Sequence, residues 1–164
     1  MHPVEFWIEH LNLLPHPEGG FYKETYRSTE EIIHKNLPAR YTGARNFSTA
    51  IYFLLHSQDR SVFHRIQSDE LWHFYTGTTL LIYVLTSDGL KIHRLGADPV
   101  QGDTLQVLVP AGCWFGAMVE KPDGYALCGC TVAPGFNFAD FEMARREELL
   151  KAFPDQEDII MKLT

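Results

Sequence analysis

The feature that most constrains this chain is its punctuation between Phe21 and Val132, where nine short apolar or aromatic runs alternate with breakers. The runs are Phe21–Tyr26, Ala50–Leu55, Val62–Ile66, Glu70–Tyr75, Thr79–Leu85, Lys91–Leu95, Thr104–Val109, Trp114–Val119 and Ala126–Val132. They are rich in aromatic and β-branched residues, and most gaps carry Gly, Pro, Asp or Ser, so each reads as a strand bounded by a turn. Ser87-Asp88-Gly89 suits a hairpin. Pro110-Ala111-Gly112 is a second turn, its proline at a strand end where the missing N–H does no harm. Short strands at this spacing predict an all-β sandwich or barrel.

The flanks read differently. Val4, Ile8 and Leu11 stand four and three apart and predict a short helix over Val4–Leu11, ended by the prolines and glycines of Leu14–Gly20. Asp140–Phe153 is dense in helix formers, stops before Pro154 and has Asp140 as its expected N-cap. No repeat or flexible linker divides the chain. Residues 1–164 are therefore expected to form one domain, with a barrel over about 14–135 and a helical segment over about 137–164.

A formal net charge of −7, with Lys and Arg scattered, argues against a nucleic-acid partner. Apolar runs such as Leu80–Leu85 end far short of the roughly 20 residues of a spanning helix, so no membrane partner is expected. The opening Met-His-Pro-Val-Glu lacks the basic start and apolar run of a secretory signal. Cys113, Cys128 and Cys130 fit neither a disulfide framework nor a zinc knuckle. They are expected to pack as small apolar groups in a protein of the reducing cytoplasm.

Two blocks narrow the choice of barrel: Phe63-His64-Arg65-Ile66-Gln67-Ser68-Asp69-Glu70 through Gly77, and Gly102 through Pro110-Ala111-Gly112-Cys113-Trp114-Phe115. They resemble the two motifs of the cupin superfamily, with Glu70 and Gly77 at the motif's separation and Pro110-Ala111-Gly112 matching its second turn. Pro15–Tyr22, Thr49–Leu55 and Gly129–Phe136 extend the likeness over almost the whole chain. Together they are similar to a family of cupin-like proteins of unknown function found in bacteria, fungi and plants. The resemblance implies a double-stranded β-helix, the cupin jelly roll, assembled as a homodimer around a pocket for a small-molecule ligand or substrate. It supplies no reaction.

Enzymatic cupins commonly hold a metal with three histidines and a glutamate, and the resemblance can be tested ligand by ligand. With one motif spacing the histidine pair falls on His64 and Ile66, with the other on Phe63 and Arg65; the second motif's histidine falls on Phe115. At best His64 and Glu70 remain as metal ligands, too few for a tight transition-metal site, so no metal cofactor is expected. Rescue would have to come from His16, His73 or His93. His73 lies three residues from Glu70 on one strand and is expected to face outward.

Alternation instead puts Glu70, Trp72 and Phe74 on the barrel's inner face, with His64 expected to meet Glu70 there. A histidine and a carboxylate in an aromatic cavity suit proton transfer. By likeness to metal-free cupins that epimerise keto sugars, His64 is the implied base, Glu70 its orienter, and Tyr22 or Tyr75 the acid. Glu18, Tyr22, Trp72, Phe74 and Trp114 are the candidate ligand contacts, and Arg27 or Arg65 could hold an anion at the mouth. Three readings stay open: a metal-independent isomerase or epimerase of a carbohydrate-like substrate, a metal-dependent cupin enzyme with non-standard ligands, and a non-catalytic metabolite binder.

Overall fold

The structure, a computed structural model, describes residues 2–164. Helix α1 spans Val4–Leu11, as its spacing predicts. The strands that follow are β1 (Leu14–Pro15), β2 (Phe21–Arg27), β3 (Glu31–Ile32), β4 (Arg45–Asn46), β5 (Thr49–His56), β6 (Ser61–Arg65) and β7 (Asp69–Gly77). Then come β8 (Leu80–Thr86), β9 (Gly89–Leu95), β10 (Gln106–Val109), β11 (Trp114–Val119), β12 (Tyr125–Ala133) and β13 (Glu142–Met143). Helices α2 (Arg146–Ala152) and α3 (Glu157–Lys162) end the chain. The nine strands read from the sequence are β2 and β5 to β12.

Two antiparallel sheets, in the orders β1-β2-β5-β12-β7-β10 and β13-β6-β11-β8-β9, form the jelly roll that the resemblance implies. Phe53, Leu55, Trp72, Ile82, Val84 and Phe115 fill its interior. Each sheet is also covered outside. Helix α1 lays Trp7 and Ile8 over Leu54, Tyr125 and Leu127 of the first sheet. Helices α2 and α3 set Leu149, Ile159 and Ile160 against Phe63, Tyr83 and Leu85 of the second. Strands such as β12 are thus buried on both faces, and they read as apolar runs without alternation.

The helix expected over Asp140–Phe153 begins only at Arg146. Glu142 and Met143 pair as β13 with Arg65 and His64, and the Glu142 carboxylate accepts a 2.8 Å hydrogen bond from Arg65 Nε. An unpaired sheet edge offers backbone partners there, and this outweighs helix propensity. Asp140 caps nothing. Its carboxylate takes Arg45 Nε and Nη2 at 2.6 and 2.5 Å, both side chains being 4% exposed.

That ion pair ties together two connections. Residues 28–48 form an arm carrying the β3–β4 ribbon, and residues 134–141 form a strap crossing one end of the barrel. Gly135 N–H donates to Asn46 O at 2.8 Å and Phe136 N–H to Thr49 Oγ1 at 2.9 Å. Arm and strap roof the space described next.

Candidate functional site

A cavity of about 320 Å³ opens between the first sheet and the strap. Its walls are Tyr22 and Glu24 of β2, Thr49 and Ile51 of β5, Glu70 of β7, and Cys130 and Val132 of β12. His16 closes one side, and Phe136 and Phe138 of the strap close the top. Arg27 also lines it, although it is three residues from Glu24. A bulge at Thr25 explains this: Glu24 pairs with Ile51 and Tyr26 with Ala50, so the extra residue brings Glu24 and Arg27 to the same face. Arg27 donates from Nε and Nη2 to the Glu24 carboxylate at 3.0 and 2.6 Å, and from Nη1 to Asn46 Oδ1 and Phe136 O.

Behind the wall lies a buried polar cluster. The turn His16–Gly20 folds back on β6, and Val62 N–H donates to Glu18 O at 2.9 Å. Gly19 permits that contact: it has φ +109°, and a Cβ there would stand 2.1 Å from Arg60 O. The turn drives Glu18 inward, where Ser61 Oγ donates to its Oε1 and His64 Nε2 to its Oε2, both at 2.9 Å. His64 Nδ1 donates to Val62 O at 2.8 Å. Nδ1 must donate to the carbonyl, and a carboxylate at Nε2 favours the imidazolium form of His64.

Charge and burial act in opposite senses on this cluster. Burial would lower the His64 pKa, but the Glu18 charge and hydrogen bond, with the Val62 carbonyl, outweigh it and raise it above 6.5. Burial pushes Glu18 up, and the charge and hydrogen bond of His64, helped by His16 and Ser61, carry it below 4.5. Glu70 has no such partner. Burial and the nearby Glu18 charge push it up to about 7, only partly offset by His64 and the Cys130 thiol. Burial, aided by the His64 charge, also lowers His16 against the pull of Glu18. His16 Nδ1 lies 3.3 Å from Glu18 N–H, which can only donate, so the ring proton sits on Nε2.

In an NMR titration, His64 is therefore expected to hold its proton above pH 6.5 and His16 to stay neutral down past it. Stability contributed by His64 should be complete below 6.5 and lost as pH rises through its higher folded value. A His64 that deprotonates below 6.5 would remove the imidazolium.

The candidate residues divide accordingly. Glu70 and Tyr22 line the cavity. His64, 2% exposed, does not, and as a base it would have no access to a ligand there, its nitrogens being turned to Val62 O and Glu18; its partner is Glu18, not Glu70. Glu18 orders the cluster and does not reach the cavity. Trp72 is core, 1% exposed between Phe53 and Phe115, its Nε1 without a hydrogen-bond partner. Phe74 packs on the same core. Trp114 faces outward beneath the C-terminal helices, since its neighbour Phe115 faces in, and the Arg65 guanidinium sits 4.4 Å from its ring centroid. Tyr75 packs by Tyr52 on the outer face, away from the cavity and from any acid role. His73 also faces outward, 3.1 Å from Thr131 Oγ1 and 3.0 Å from Gln106 Nε2. Cys128 and Cys130 are buried free thiols of the core.

The donor set does not fit a metal. Under one motif spacing Ile66, under the other Phe63 and Arg65, and under both Phe115 stand where metal-binding cupins have histidines, and the His64 nitrogens are taken by Glu18 and the Val62 carbonyl. Among the described residues, no three His, Cys, Asp or Glu side chains group as a metal's ligands would. No described helix is long and apolar enough to cross a membrane.

Known proteins share the jelly-roll fold. Over 154 residues the chain is 30% identical to an uncharacterized protein of Saccharomyces cerevisiae, covering 88% of this chain and 76% of that one. A hypothetical protein from Leishmania major superposes with a TM-score of 0.90 at 33% identity, covering 99% of both chains. A protein from Shewanella oneidensis gives 0.89 at 39% identity, covering 100% of this chain and 98% of that one. Oxalate decarboxylase from Bacillus subtilis shares the fold alone, with a TM-score of 0.54 at 14% identity over 92% of this chain and 36% of that one. Residues 5–144 match the family described as Cupin superfamily (DUF985), and the chain belongs to that family.

Proposed function

We propose that the protein binds a small carbonyl compound in this cavity and moves a proton beside its carbonyl group, as an isomerase or epimerase does, without a metal. The observation that carries this reading is Glu70, a carboxyl in the cavity wall held at about 7. An acid–base group works best when its pKa lies near ambient pH. As carboxylate, Glu70 takes the α-proton while the C–H electron pair moves toward the carbonyl oxygen. As carboxylic acid, it returns the proton to the enolate carbon, or to the former carbonyl carbon of an enediol. Tyr22 and His16, both in the wall, offer O–H and N–H donors to the enolate oxygen.

The test is deuterium wash-in. Aldoses, ketoses and simple ketones are incubated in deuterium oxide with wild type and with Glu70→Gln, and proton NMR follows the α-hydrogen. Wild type should exchange at least one of them about a hundredfold faster than the variant, the lower end of the range for a general base. Equal rates for every compound would leave a binder without chemistry.

The proposal includes a homodimer. One edge of β2 pairs with β5, while β1 covers Phe21 and Tyr22 of the other, and among the described residues no strand pairs with Lys23–Arg27 on that side. Open edges invite pairing, and two copies meet most simply about a twofold axis. Light scattering is expected to give twice the 18.8 kDa of one chain; a stable single-chain mass at micromolar concentration would overturn this. Three unbonded thiols support a place in the reducing cytoplasm.

A further inference from the structure

The cavity's charge and lining bear on what it takes, granted that it is the ligand site proposed above. Its one guanidinium is already occupied. Four of the five N–H groups of Arg27 are engaged, two by Glu24 side on, one by Asn46 and one by the Phe136 carbonyl. A phosphate or carboxylate entering at Arg27 would displace Glu24, whose negative charge would stay at the mouth three residues away. The deeper ionised pair, His64 with Glu18, is closed on itself, and Arg45 is spent on Asp140. An anion therefore meets carboxylates and, among the described residues of the cavity wall, no unpaired guanidinium or ammonium.

Polar groups left for a ligand are few: the Tyr22 hydroxyl, His16 Nε2, the Glu70 carboxyl, and the Thr49 hydroxyl, which already accepts from Phe136 N–H. Beside them on the sheet stand Ile51, Val132 and Cys130, and opposite lie the two phenyl rings of the strap. A fully hydroxylated sugar would bury several hydroxyls against these apolar groups without partners, which disfavours it. The volume, at the small end for ligand sites, admits about one ring and leaves a nucleotide outside.

We infer that the site takes an uncharged carbonyl compound of about one ring bearing few hydroxyls, such as a lactone, a cyclic ketone or a deoxysugar. Glu24 acts as a built-in competitor that keeps anions off Arg27.

The experiment is an NMR titration of isotope-labelled protein, read at the amides of Ile51 and Val132. The uncharged probes are cyclohexanone, δ-valerolactone and deoxyribose; the anions are glucuronate, inorganic phosphate and uridine diphosphate glucose. Saturable shifts are expected from at least one uncharged probe, with every anion weaker by about tenfold or more. Glu24→Gln keeps an acceptor for Arg27 but removes the charge, and should strengthen glucuronate and phosphate binding by about tenfold. Anions binding wild type as tightly as the uncharged probes, or no uncharged probe binding at all, would overturn the inference. Unchanged anion affinity in Glu24→Gln would overturn the role of Glu24. Uncharged probes that bind but never exchange their α-hydrogen would instead sink the proton-transfer reading and leave this one standing.

Discussion

Glu70→Gln is expected to make the protein more stable at about pH 8 and no more stable at about pH 4, because of what the wild-type carboxyl undergoes on folding. Its pKa rises from 4.5 to about 7. Between those values the folded state keeps a proton that the unfolded chain has released, so stability falls as pH rises through the window. At about 1.4 kcal/mol per pH unit, the full loss above 7 is on the order of 3 kcal/mol. Glutamine keeps the shape and never ionises, so the variant avoids that loss. Below 4.5 both side chains are neutral and the difference vanishes. Urea unfolding of both proteins across this range measures it. A variant less stable than wild type at pH 8 would mean that Glu70 serves the fold as a carboxylate, and would count against its being held there for chemistry. A gain in stability with a loss of exchange is the pattern of a residue that costs the fold something for function.

The second large effect belongs to the roof. Asp140→Ala leaves Arg45 charged, 4% exposed and without its bidentate partner, and is expected to cost about 3–5 kcal/mol by urea unfolding. Replacing both members with apolar residues, Arg45→Met with Asp140→Leu, should recover most of that loss, because the penalty is the stranded charge and not the absence of a bridge. A single variant losing under about 1 kcal/mol would show that water reaches the pair, as it does for exposed ion pairs. The same variant should loosen the strap over Phe136 and Phe138, which Arg45 holds through Asp140.

What could be read from the sequence followed the period of its side chains. The nine longer strands are legible because each carries an alternating or apolar run between turn formers, and counting along β7 places Glu70 inward. Strands β3, β4 and β13 have two residues each, too few to carry any period. Glu142 and Met143 read as helix because their local preference is helical, while their partners on β6 lie over 70 residues away. The His64–Glu18 contact is hidden for the same reason: Glu18 reaches the histidine from a turn on a distant part of the chain, and no spacing announces it. Alternation does not place Arg27, because it breaks at Thr25, where one inserted residue reverses every side chain beyond it. Trp114 faces out because its strand neighbour Phe115 faces in, as alternation along β11 requires.

The arm and strap give the cavity a divided construction. The proton-carrying group stands on β7, an inner strand paired on both sides by β12 and β10. The groups that decide what can enter stand largely on loops and on the bulged edge of β2. Ladder hydrogen bonds immobilise the first set, whereas substitutions in residues 134–141 can reshape the second without moving a strand. Reagent and gatekeeper are therefore separable parts. A strap transplanted from a relative, with the Arg45 and Asp140 anchors kept, would carry over that relative's choice of ligand while leaving Glu70 in place.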